Sequence, residues 1–231
     1  MTEPTIIAVD WSGAKKTNLS SGIWLAVVQD GRVVHSAAVR SREEAVGVVI
    51  DHAPPVIAGF DFSFSVPGWF ARDLRCTTVD DVWEAAAREG EHWLAPTPPF
   101  WRKRCEVPVD RRFRRCELEL RPAKSIFQLV GNGQVGAGSV RGMPSLARLR
   151  AHGFAIWPFD APGARTAVEI YPSRLRRLGH APAERAYATE HERDAVESAE
   201  VMWDHRALFP QLTAATDPVT LIEGDVWSPS R

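Results

Sequence analysis

The sequence predicts an α/β domain organised on a mixed sheet, and three of its features lead there. An apolar run, a tight hairpin, a helix signal and a second apolar run follow one another within the first 61 residues. Both outer runs end in an aspartate with a Ser-containing turn directly behind it. A late helical stretch carries small residues along one side, which suits close approach to a sheet. A chain of 231 residues holds one domain of generous size, residues 1–231, better than two, and 45% hydrophobic residues suffice for a sizeable core.

Thr5-Ile6-Ile7-Ala8-Val9-Asp10 is apolar on both faces, as a central strand covered on both sides would be, and Trp11-Ser12-Gly13 then turns the chain. Asp10 either caps that turn, a common task for Asp, or faces a site where the sheet ends. Residues 22–29 read as a second strand, Asp30-Gly31 as a two-residue hairpin turn, and residues 32–39 as a third strand. Ser41, with Glu44 three residues on, forms the pattern of a capping box, and the helix it opens stops before Pro54-Pro55. Val56-Ile57-Ala58-Gly59-Phe60-Asp61 then repeats the opening theme. With the first and fourth strands as parallel neighbours, Asp10 and Asp61 face one crevice.

Residues 68–165 break this rhythm. Helices are expected over 80–88 and 145–152, and the Pro- and Arg-rich stretch between them reads as a lid or an inserted subdomain. Its cations are Arg102, Lys103, Arg104, Arg111, Arg112, Arg114, Arg115, Arg121 and Lys124, set against Glu106, Asp110, Glu117 and Glu119. That is an excess of five positive charges in a chain of net charge −1. Trp93, Phe100, Trp101 and Phe113 lie among or beside them. The segment either clamps a phosphate backbone and stacks bases, or is a solvated surface with its aromatics turned to the core. Gly131 to Gly136 fits GxGxxG, but it lies mid-chain and the residues after it make a poor helix start, so a glycine loop that packs tightly or touches a phosphate through backbone N–H groups is expected rather than a dinucleotide site.

The regular pattern resumes over 164–171, a strand carrying Glu169, and continues in a helical stretch over 183–208. There Asp194, Ala195, Ser198, Ala199 and Met202 fall on one side. Residues 219–227 read as a short strand or extended tail.

Composition narrows the function classes. With a net charge of −1 no global field draws the protein to nucleic acid or membrane, so any such attraction is local. The three cysteines have no metal-ligand spacing and read as free thiols of a reducing compartment. Neither a signal peptide nor an apolar run of about 18 or more residues is present, and a cytoplasmic protein without membrane association is expected.

Four acids remain: Asp10, Asp61, Glu169 and Asp194. Burying several carboxylates together is costly unless cations neutralise them, and an all-oxygen set favours magnesium or manganese. A pair of such ions is the usual apparatus for phosphodiester cleavage.

The motifs IIAVDWSGA, VIAGFDFSFSVP, KSIFQLVGNGQVGAGSVRGMPSL, VEIYPS, RDAVESA and IEGDVW, in that order, resemble domain of unknown function family 429, a family of predicted nucleases assigned to the RNase H fold. The resemblance spans nearly the whole chain. It implies an RNase H-like mixed five-stranded sheet whose first three strands are antiparallel, with helices on both faces and an acidic centre. On it Asp10 and Asp61 match strand-end acids, Glu169 the acid of a Glu-x-Tyr-Pro motif, and Asp194 the acid on the last helix. Where related nucleases carry a further carboxylate three residues before that helix acid, this chain has His191, which can ligate a metal or act as a base.

The expectation is a magnesium- or manganese-dependent nuclease. Asp10 bridges the metals, Asp61 and Asp194 complete their shells, and Glu169 ligates or orients water. Arg102, Lys103, Arg104, Arg111, Arg112, Arg114, Arg115 and Lys124 hold phosphates. The alternative is a non-catalytic module of the same fold that binds nucleic acid or a nucleotide through the basic segment.

Overall fold

In the computed structural model, which describes residues 2–20, 22–95, 98–102, 105–120, 123–130, 135–178 and 185–229, one sheet runs through the molecule with helices on both faces. Its strands are β1 (Thr5–Asp10), β2 (Trp24–Gln29), β3 (Arg32–Ala38), β4 (Val56–Phe60), β5 (Ala155–Ile156) and β6 (Arg165–Glu169), in the spatial order β3-β2-β1-β4-β6-β5. The pairs β1–β2 and β2–β3 are antiparallel; β1–β4, β4–β6 and β6–β5 are parallel. The sheet therefore has six strands where five are expected. The additional strand, β5, is two residues long, too short to carry any hydrophobic period.

Helix α1 (Arg42–Asp51) starts as expected: the Ser41 hydroxyl accepts from the Glu44 N–H, and the Glu44 carboxylate accepts from the Arg40 N–H. Two other helices, α3 (Val79–Trp93) and α5 (Val135–Ala151), come from the segment expected to form a lid or subdomain. Thr78 and Asp81 cap α3 reciprocally. The buried faces of α1, α3 and α5 share a single apolar cluster with Ile7, Val9, Ala58 and Phe60. The two ends of the inserted segment are thus one covering layer of the sheet. The α5 start lies where the sequence looks unpromising. Residues 131–134 of the glycine run fall outside the described set, and the helix begins at Val135.

The opposite face is covered by α7 (Glu190–Asp204), which is shorter than the expected 183–208 and begins at the Thr189 N-cap. Its Ala195, Ala199 and Met202 pack with Ile6, Ala8, Ala26 and Val168. Short helices complete the chain: α2 (Gly68–Asp73), α4 (Arg115–Glu119), α6 (Pro172–Leu175) and α8 (Thr220–Glu223). The last takes up the first part of the stretch expected as a short strand or extended tail, 219–227, and residues 224–228 follow it without regular structure. No helix among the described residues is long and apolar enough to cross a membrane.

Register positions the site. Val9 pairs with Phe60 and Phe60 with Glu169, and the ladder continues through Asp61 N–H to Val9 O (3.1 Å) and Ile170 N–H to Phe60 O (3.0 Å). Asp10, Asp61 and Glu169 therefore lie at the same end of three adjacent parallel strands.

Candidate active site at the ends of the parallel strands

Side-chain alternation decides which of these acids meet. Asp10 has the parity of Ile6 and Ala8, which face α7, whereas Glu169 has the parity of Ala167 on the other face. Asp61 comes one residue after Phe60, which faces the α1/α3/α5 layer, and so turns toward Asp10. The two carboxyl groups are hydrogen-bonded to each other.

Asp10 is buried and Asp61 half-buried. The enclosure of the Asp61 carboxyl, with the Asp10 charge beside it, raises its pKa well above the usual carboxylate range. Of the two, Asp61 is the carboxyl that holds a proton more readily, with Asp10 as the acceptor. Burial raises the Asp10 pKa as well, against the opposing effect of His191. The His191 Nδ1 stands 2.6 Å from the Asp10 Oδ2, and that hydrogen bond raises the imidazole pKa above its ordinary value. Lys124 and Glu169 act on Asp61 electrostatically, one lowering and one raising its pKa, and Arg176 acts on Asp10.

The other two acids are engaged elsewhere. Both Glu169 oxygens are held by the Arg114 guanidinium, one at 2.9 Å, and the Phe64 N–H donates to the same carboxylate at 2.8 Å. Asp194 is ion-paired with Arg176. Among the described residues no three His, Cys, Asp or Glu side chains converge to hold a metal ion unaided. The centre in place is Asp10, Asp61 and His191, with Glu169 behind the sheet end and Asp194 beside it.

The basic residues also sort themselves. Arg114, expected at a phosphate-facing surface, is wholly buried between Glu169 and Glu117. Arg115 is tied to Asp217 and Thr220, and Arg112 donates to the Val107 carbonyl. Arg111 lies over the Trp69 ring at 4.2 Å, and Arg102 donates to the Leu94 carbonyl. Lys103 and Arg104 lie outside the described residues. Lys124, of the expected set, acts electrostatically on Asp61. Arg114 and Arg176 as carboxylate partners escaped the sequence reading. The basic run from Arg174 to Arg177, directly behind the Glu169 strand, was the available signal for the second.

Two close approaches shape the site. A Cβ on Gly13 would stand 2.8 Å from the Gly138 N, so only glycine lets the turn after β1 meet the first turns of α5. Gly22 has φ of +76°, and a Cβ there would stand 2.5 Å from the His191 Nε2. Gly22→Ala is therefore expected to strain the backbone by about 1–2 kcal/mol and to push the imidazole off Asp10. The check is a proton NMR titration: the His191 pKa should fall back toward the ordinary value. Because the raised pKa reflects stability present below the unfolded value and lost as pH rises through the folded one, the variant should lose more stability at pH 5 than at pH 9.

Compared with protein-family models, curated proteins and solved structures, the chain gives no significant match in any of the three. Its chemistry is read from this geometry.

Proposed function

We propose that the protein is a phosphodiester hydrolase whose centre is the Asp10–Asp61 pair acting with a magnesium or manganese ion. The observation that carries this reading is the hydrogen bond between two enclosed carboxyl groups at the ends of adjacent parallel strands. Such a pair holds a proton where a cation would neutralise it better. The donor set fits one hard cation, since magnesium is commonly held by one or two carboxylates with water and substrate phosphate completing its shell. It does not supply a second ion's shell while Arg114 and Arg176 occupy Glu169 and Asp194. Asp10 and Asp61 would hold the ion, which when bound polarises the scissile phosphate and acidifies a bound water.

The chain's own groups do the rest. His191 fixes the orientation of the Asp10 carboxylate and is placed to carry a proton. Lys124 offsets negative charge beside Asp61. The resemblance to domain of unknown function family 429 and the antiparallel-then-parallel strand order support the same reading, with an RNase H-like frame and nucleic acid as substrate. Manganese-dependent cleavage of single-stranded or duplex DNA or RNA is expected, with Asp10→Asn lowering it by on the order of 100-fold. Failure to cleave any of these substrates, or undiminished cleavage by Asp10→Asn, rejects it.

A second reading, a binding module without catalysis, is favoured by the arginine partners of Glu169 and Asp194. Salt-sensitive oligonucleotide binding with no heat of manganese uptake in calorimetry would select it.

A further inference from the structure

Two cavities share Arg102 in their walls, and the smaller is also lined by the turn that follows Asp10. The smaller, about 300 Å³, is walled by Gly13, Ala14, Lys15, Glu91, Arg102 and Arg141. Three cations face one anion there: Lys15 lies 3.8 Å and Arg141 2.6 Å from Glu91. The larger, about 840 Å³, is an open cleft lined by Trp69, Phe100, Trp101, Arg111 and Glu106 among others. Trp69 and Trp101 are half-buried and line the cleft, where Arg111 stacks its guanidinium over the Trp69 ring. The hydrolase reading uses neither cavity.

From this juxtaposition we infer that the paired cavities bind one unpaired nucleotide of the substrate strand, its phosphate in the Lys15–Arg102–Arg141 pocket and its base in the Trp69–Trp101 cleft. The inference rests on the hydrolase reading for the identity of the strand and adds that the strand is single. A flat ring enters an aromatic cleft only when unstacked and unpaired, and base–aromatic stacking tolerates any sequence. An anion pocket that shares Arg102 with that cleft matches the layout of a nucleotide, charged at one end and planar and apolar at the other. Glu106 and Asp73 at the cleft add acceptors for exocyclic amino groups.

The test is fluorescence anisotropy of the full chain with labelled decathymidylate, decauridylate and a hairpin duplex in EDTA, where no cleavage occurs. Expected are saturable binding of at least one single strand, roughly tenfold or more above the duplex, and a loss of about tenfold in Trp101→Ala that Trp101→Phe restores. Arg102→Gln should weaken binding and reduce the slope of log affinity against log salt by about one. If circular dichroism finds Trp101→Ala unfolded, Arg102→Gln and Arg111→Gln decide. Equal or tighter duplex binding, parental affinity in the substituted proteins, or displacement of the oligonucleotide by a decaproline peptide overturns the inference. Single-strand binding that depends on Trp101 and Arg102, without any cleavage in manganese, upholds it while rejecting the hydrolase. Cleavage with binding indifferent to both residues does the reverse.

Discussion

Arg114→Met is expected to destabilise the protein by about 3–5 kcal/mol, because it leaves two buried carboxylates without their cation. Arg114 is 0% exposed, as are Glu117 and Glu169. Its Nε bonds Glu117 at 2.9 Å, its two terminal nitrogens grip Glu169, and one of them also reaches the Glu223 carbonyl at 3.0 Å. Tyr171 donates its hydroxyl to Glu117 at 3.2 Å. One guanidinium thus joins α4 to β6 and to the end of α8. Arg114→Lys is expected to recover little, since an ammonium cannot reproduce the forked geometry. Chemical denaturation measures both. In the double variant Arg114→Met/Glu169→Gln, removal of one stranded charge should return on the order of 0.5–3 kcal/mol. A single Arg114→Met protein as stable as the parent would show that Glu169 is not held as a buried ion pair.

Asp61→Asn is the second large effect, with opposite signs for stability and activity. The amide can still donate to Asp10, but it cannot ionise, so the electrostatic conflict of the pair disappears. In the metal-free parent the Asp61 pKa is raised on folding. Its proton therefore favours the folded state below the unfolded value of about 3.9. That advantage is lost as pH rises from there through the raised folded value. The variant has no such loss. It should match the parent near pH 3 and exceed it near neutrality by about 0.5–2 kcal/mol, as is usual when a strained functional group is removed. Manganese-dependent cleavage and any stabilisation by manganese should vanish together. Thermal unfolding at both pH values, with and without manganese, checks this. A variant less stable than the parent at neutral pH would mean that the pair is a structural hydrogen bond.

These two experiments bear on opposite sides of one sheet end. The fold separates acids that the sequence presents as equivalent. It places a structural ion pair on the face covered by α3 and α5, and a proton-sharing pair on the face covered by α7.

The sequence by itself determined where β1 and β4 stop and that an aspartate stands at each stop, whereas the strand carrying Glu169 ends at that residue and not at 171. Apolar runs, the Asp30-Gly31 hairpin and the Ser41–Glu44 cap are local signals, each carried within a few residues. It also placed small residues on the α7 face, which the structure packs against Ala8 and Ala26. Only the tertiary structure decided which face each carboxylate takes. Strands apolar on both faces, such as β1 and β4, have no alternation to read, so a parity of one residue is invisible in them. Partners were equally hidden. Arg114 is 55 residues from Glu169 and His191 is 181 from Asp10, distances over which no periodicity speaks. The Arg-rich segment looked like one basic surface because composition counts charges without their directions. Folding buried Arg114, spent Arg115 on Asp217, and left Arg102 at the junction of two cavities.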